Sequence, residues 1–172
     1  MITAQKIPEF GTHRENEERR DGGLGIVFDP KTKLFAAAQK PDGHYLLFGG
    51  GVPAGEDSQV GTLREVTEES GLIDFLKVEP LGQATAHYYH STKKVNRVTL
   101  VSCFLVILKS TATRPVQHEP HEQFELVWVS PQKLLNAIMP LNKNGDYGHW
   151  IYFFDKALKR LEELGYNTKA QD

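Results

Sequence analysis

A run of glycines set directly before a helix with three glutamates on one side constrains this chain more than any other feature. Gly49, Gly50, Gly51 and Gly55, with Pro53 among them, let backbone approach a ligand with no side chain in the way. Asp57 or Ser58 can cap a helix running to about Ser70, and Gly71 falls where a left-handed C-cap is expected. At helical spacing Glu65, Glu68 and Glu69 lie at i, i+3 and i+4, within an arc roughly 100° wide. Val60, Leu63, Val66 and Thr67 take the opposite side and face a sheet. Like charges so placed destabilise an isolated helix by a few tenths of a kcal/mol per pair, on the order of the known helix-pair terms. A hard divalent cation with oxygen ligands removes that repulsion, and Mg²⁺ typically takes one or two carboxylates plus substrate phosphates. Arg64 can neutralise and orient Glu65 or Glu56. The combination reads as a metal-phosphate site made of a glycine-rich loop and an acidic helix.

The flanking segments place that site on a sheet. Gly23 to Phe28 and Leu34 to Gln39 are short strands joined by Asp29-Pro30-Lys31, and Tyr45 to Phe48 is a third. Leu81 to His90 and Arg97 to Leu108 read as long strands around the polar turn Ser91 to Asn96, and Gln123 to Val129 as another. Ser130-Pro131 opens a short helix. Ile151, Phe154, Leu158 and Leu161 recur at helical spacing before Gly165 ends the segment. This order predicts an α/β fold, a mixed sheet with helices packed on it. Residues 1–21 read as a polar N-terminal arm, disordered or packed along the body, and 22–172 as one domain.

Composition excludes several function classes. Twenty Lys and Arg against 22 Asp and Glu leave a formal charge of −2. That balance gives no electrostatic reason to bind nucleic acid or an anionic membrane, so phosphate must be held by local groups or a metal. The single cysteine, Cys103, sits in an apolar run, so no intrachain disulfide forms and a reducing, cytoplasmic setting is expected. The longest apolar stretch, Val98 to Leu108, is too short to span a bilayer as a helix. The doublets His87/His90 and His118/His121 have strand spacing that splits each pair between faces, and no cysteine pair supports zinc.

Taken singly, a glutamate-rich helix face is ordinary solvated surface and a glycine cluster an ordinary turn. Jointly, the nine specified positions arise by chance on the order of 10⁻⁹ per starting position. Gly50, Glu56, Arg64-Glu65-Val66, Glu68-Glu69 and Gly71-Leu72 resemble the Nudix box at every specified position. The resemblance implies a Nudix-type α/β/α sandwich. It further implies Mg²⁺- or Mn²⁺-dependent hydrolysis of a nucleoside diphosphate linked to another moiety. It casts Glu65, Glu68 and Glu69 as metal ligands, with the Gly50 carbonyl near the metal, and Arg64 and Glu56 as the pair that shapes loop and helix. Such chemistry needs cations to neutralise phosphate oxygens and acidify a bound water, and a carboxylate to take the proton. In the family that base is a box glutamate or an acid from a later loop, for which Glu119 and Glu122 are candidates here.

Lys40, Phe48, Tyr88 and Arg97 are candidates for binding a nucleotide-type substrate. Tyr88 and Tyr89 lie 16 and 17 residues past Leu72, where a tyrosine resembles the base-stacking ring of dinucleoside polyphosphate hydrolases; strand alternation would turn one of the two to the core. Pro80 falls too near the box for the ADP-ribose hydrolase signature, and the arginine pattern of coenzyme A hydrolases is missing. Cys103 is poorly placed for the isopentenyl diphosphate isomerase branch of the fold. Trp128 and Trp150 read as core or helix-packing residues. The substrate class leans to nucleoside triphosphates or dinucleoside polyphosphates. The alternative is a non-catalytic nucleotide-binding regulatory module. Many relatives are homodimers, which leaves that assembly open.

Overall fold

Strand β3 (Gly22–Asp29) is the centre of the molecule, because its side chains alternate between two apolar layers. Leu24, Ile26 and Phe28 belong to one layer and Val27 to the other. β4 (Leu34–Gln39) divides likewise, Phe35 and Ala37 against Ala36 and Ala38. Strands that bury both faces read as continuous apolar runs, as these do. In the computed structural model, which describes residues 6–116 and 123–169, they sit within a mixed sheet. Its main path also includes β5 (Tyr45–Leu46), the long antiparallel pair β7 (Phe75–His90) and β8 (Val95–Leu108), and an arm strand, β1 (Glu9–Phe10). The spatial order is β1-β7-β8-β3-β4-β5. A second arm strand, β2 (Glu18–Arg19), pairs with β8; β6 (Phe48–Gly51) pairs with β3 and β9 (Glu125–Val129) with β4.

Helices cover both faces, as expected of an α/β sandwich. Helix α1 (Ser58–Ser70) closes the smaller layer with Val66, while α2 (Pro131–Ile138) and α3 (Gly148–Glu163) close the larger one with Leu134, Ile138, Phe153, Phe154 and Leu161. The cap residues read from sequence are in place. Asp57 accepts from the backbone N–H groups of Gln59 and Val60 at 3.0 Å, and Gly71 is left-handed with φ 79°. Ser130 caps α2 with Pro131 in its first turn. A 3-10 helix (Met139–Asn142) follows α2.

Four readings need correction. The expected strand Tyr45 to Phe48 divides at Leu47, since its halves pair with different partners, β4 and β3. β7 begins at Phe75 rather than Leu81, because irregularities at Phe75/Lys77 and Pro80/Gly82 carry the ladder past Pro80. On α1 the buried side chains are Thr62, Val66 and Ser70, while Val60 is 60% exposed. The reason lies in β3: a Cβ at Gly23 would stand 2.0 Å from Thr62 Oγ1, and one at Gly25 2.5 Å from Val66 Cγ2. Two missing side chains decide which face of the helix settles on the strand. Neither Tyr88 nor Tyr89 turns to the core; His87 is the buried residue of that stretch. Among the described residues, no helix is long and apolar enough to cross a membrane.

Candidate active site

The close fit of α1 on β3 brings the helix's acidic side against the glycines of β6. In the β3–β6 pairing Gly23 stands opposite Gly50 and Leu24 opposite Gly49. A Cβ at Gly50 would lie 2.3 Å from Glu65 Oε2, so the Glu65 carboxylate occupies the space a side chain would fill. The Gly49 N–H donates to Glu69 Oε2 at 2.9 Å. Exposure rises outward along this face: the Glu65 side chain is 17% exposed and that of Glu68 is 52% exposed.

Arg64 organises the cluster. Its Nε and Nη2 donate to the two Glu56 oxygens at 3.1 and 3.2 Å, tying the loop before α1 to the helix. Nη1 donates to Glu65 Oε1 at 2.7 Å and Glu68 Oε2 at 3.2 Å, and Nη2 also reaches the Gly51 carbonyl at 3.2 Å. Hydrogen bonds to Glu56, then Glu65, hold the guanidinium well above its ordinary pKa. Among the described residues no three acidic, imidazole or thiol side chains converge on one point, because Glu65 and Glu68 turn to Arg64 and Glu69 to backbone. The donor chemistry nonetheless suits a hard cation. Carboxylates beside a side-chain-free strand offer only oxygen, as Mg²⁺ and Mn²⁺ prefer.

A groove leads away from this cluster. One cavity of about 350 Å³ is lined by Lys40, Glu69, Tyr88, His90, Tyr147 and Trp150 among others. A smaller one, about 140 Å³, reaches Gly50, Thr99 and Val101. They share Leu47, Gly49, His149 and Trp150, so the groove passes from the tyrosines of β7 to the glycines of β6. A larger cavity of about 630 Å³ touches Arg19, Arg20, Gly51 and Glu56 but none of Glu65, Glu68 and Glu69.

Lys40 and Tyr88 thus stand in the groove with Glu69. Phe48 does not: it is fully buried with Val66 beneath α1 and offers no surface to a ligand. Arg97 is 9% exposed, pairs with Glu18 at 2.9 Å and serves the arm rather than the groove. Glu119 and Glu122 lie outside the described residues. Sequence reasoning missed His149 and Tyr147; Trp150, read as a core or helix-packing residue, does pack against the larger core layer, and all three line the groove at the start of α3. No motif marks them. Only a polar residue beside the apolar helical stripe could have raised the question.

The arm is fastened to β7 and to Asp146. His87 Nδ1 lies 2.9 Å from both Glu17 oxygens, and Nε2 lies 2.7 Å from Glu9 Oε1. Burial opposes charge on this ring, but Glu17 and Glu9 outweigh it and its pKa is raised. Burial likewise opposes charge on Glu17, yet the Arg14 N–H and His87 bring its pKa below the usual value. Arg14 Nη2 donates to both oxygens of Asp146, at 2.9 and 3.1 Å, and the Tyr89 N–H reaches the same carboxylate. Asp146 is itself a groove residue.

The site is thus an acidic helix behind a glycine strand, at the end of an aromatic groove on an α/β sandwich. The chain belongs to the Nudix hydrolase family: residues 18–152 match the NUDIX domain. Members are generally pyrophosphohydrolases of nucleoside diphosphate derivatives that use divalent metal ions, usually Mg²⁺ or Mn²⁺. Three solved structures show the same fold. The NUDIX domain of Shewanella oneidensis NrtR, complexed with ADP ribose, is 14% identical with a TM-score of 0.60, covering 84% of this chain and 90% of that one. A MutT protein from Methanosarcina mazei is 19% identical, TM-score 0.56, over 86% and 98% of the two chains. A C. elegans Ap4A hydrolase binary complex is 18% identical, TM-score 0.56, over 84% and 98%. Comparison with curated proteins gives no significant match.

Proposed function

We propose that this chain is a divalent-metal-dependent hydrolase that cleaves the pyrophosphate bond of a nucleoside diphosphate linked to another moiety. Nucleoside triphosphates and dinucleoside polyphosphates are its favoured substrate classes. The observation that carries the reading is the position of Glu69 and Gly49 in the same groove as Tyr88 and Trp150. A nucleotide lying there has its phosphates against the acidic helix and its base among aromatic rings, where stacking is worth about 1–3 kcal/mol per base.

Glu65, Glu68 and Glu69, with the Gly50 carbonyl, would hold the cation. When bound, Mg²⁺ or Mn²⁺ neutralises phosphate oxygens and acidifies water. Arg64 keeps its two-point grip on Glu56 while giving up Glu65 and Glu68, so loop and helix hold their shape when the carboxylates change partner. Lys40 supplies positive charge to the phosphates. A carboxylate accepts the proton of the attacking water: a box glutamate, or Glu119 or Glu122 from the later loop.

The test is phosphate release, with Mg²⁺ or Mn²⁺ and a coupled phosphatase, over nucleoside triphosphates, dinucleoside polyphosphates, ADP-ribose and nucleotide sugars. Metal-dependent turnover of one class, lost in Glu68→Gln, supports the reading and names the substrate group. Silence from folded protein that binds metal and nucleotide favours the non-catalytic binding module.

A further inference from the structure

His149 stands in the first turn of α3, in the wall common to both parts of the groove. It is 7% exposed, and its Nδ1 is buried without a hydrogen-bond partner among the described residues. Buried polar atoms are nearly always paired, so an orphaned one on a residue that lines a cavity calls for a partner from outside the protein. Burial lowers its pKa to about 4, against the pull of the Asp146 carboxylate, and the ring is neutral near pH 7. A neutral imidazole is a poor phosphate ligand. It matches an uncharged donor or acceptor, such as the amide, amine or ring nitrogen at the edge of a nucleobase.

The surroundings favour the same partner. Tyr147 and Trp150 pack edge to face with centroids 5.0 Å apart, and Tyr88 lines the same cavity. A base stacked on one of these rings would lie in the cavity that His149 also lines. Nδ1 is buried as the ring stands, and a turn about χ2, a broad torsion in histidine, would re-aim it.

We propose that His149 is the specificity-determining residue of the groove, pairing through Nδ1 with the hydrogen-bonding edge of the substrate's nucleobase. The inference rests on the nucleotide-hydrolase reading above and adds what that reading leaves open, the means of telling one base from another. A site built to pair a polar edge rejects a base that leaves it unpaired far more strongly than a merely apolar pocket does.

The experiment is equilibrium binding, by tryptophan fluorescence, of AMP, GMP, CMP, UMP and ribose 5-phosphate to wild type, His149→Phe and His149→Gln. Wild type should favour one base, or one pair sharing an edge, by on the order of tenfold. His149→Phe should compress the range to about threefold or less by weakening only the favoured base, with ribose 5-phosphate unchanged and His149→Gln intermediate. Histidine ¹⁵N spectra of the wild type give a second readout should the variants not fold: the Nδ1 resonance of His149 should move with the favoured monophosphate and not with ribose 5-phosphate. A preference that survives in His149→Phe, an unmoved resonance, or equal binding of all four monophosphates overturns the assignment and leaves the hydrolase reading intact. Failure to bind any monophosphate, together with failure to hydrolyse any triphosphate, overturns both.

Discussion

At the seam between the arm and β7, three carboxylates, Glu9, Glu17 and Asp146, meet three basic partners, His87, His13 and Arg14, and the Glu17 and Asp146 side chains are only 6% and 8% exposed. On α1 the single guanidinium of Arg64 reaches three carboxylates, Glu56, Glu65 and Glu68, the last half exposed. Both clusters are built from carboxylates and basic side chains. They differ in charge balance and in access. Where the fold needs a carboxylate for cohesion, it supplies a nearly matching cation and excludes water, since an unpaired buried charge is costly. On α1 the negative charge exceeds what Arg64 neutralises, and Glu69 on the same helix lines the groove, an arrangement that suits the proposed uptake of a cation from solution. The balanced cluster fastens the chain; the unbalanced one is where we propose that the chemistry takes place.

Substitutions should separate the two regions. The largest effect is expected from Glu68→Gln, a loss of turnover by about 10²-fold or more with the melting temperature unchanged or raised, because repulsion on α1 falls; steady-state rates beside thermal melts check this. EDTA should abolish turnover, and added Mg²⁺ or Mn²⁺ restore it, in the same assay. Gly50→Ala comes next. Its Cβ would meet the end of a flexible side chain, the Glu65 carboxylate, so the fold survives while Glu65 is displaced. Activity should drop by about 10- to 100-fold, as misplacements near 1 Å do, with stability within about 1 kcal/mol of wild type.

How legible this was varies along the chain. The site helix could be read almost to the residue, because Asp57, the i, i+3, i+4 glutamates and Gly71 each carry a local conformational signal. The strand positions of β3, β4 and β8 followed from their apolar runs. What could not be read depends on contacts distant in sequence. Phe48 looks available beside a glycine loop, but Val66 covers it. Arg97 looks like a phosphate ligand, but Glu18 holds it. His149 acquires meaning only when the first turn of α3 comes to line the same cavity as Gly49 and Leu47. The short strands β1 and β2 have no periodicity of their own; register with β7 and β8 defines them.

On the arm side the effects should be thermodynamic. Arg14→Ala leaves Asp146 without its charged partner and should cost about 1–3 kcal/mol in denaturant melts, with metal dependence of turnover unaltered. The smallest effect is in pH. The stability due to His87 is complete below the ordinary imidazole value of 6.5 and is lost as pH rises through its raised folded value. That due to Glu17 is complete above the ordinary 4.5 and is lost as pH falls through its lowered value. The seam is therefore tightest between these limits, and exchange of the Thr85 amide, bonded to the Pro8 carbonyl, should quicken beyond the intrinsic rate on the alkaline side. His87→Gln should remove that alkaline change. His149 acts in the opposite sense: its folded value near 4 makes global stability fall as pH drops from 6.5, and His149→Phe should flatten that slope.

The central claim, that the acidic side of α1 and not the arm cluster takes a cation from solution, is tested most directly by Mn²⁺ titration followed by electron paramagnetic resonance. Wild type and Arg14→Ala should bind Mn²⁺ alike, while Glu65→Gln and Glu68→Gln should each weaken binding by on the order of tenfold. Binding that is unchanged in both glutamate variants, or lost on disturbing the arm alone, would contradict it.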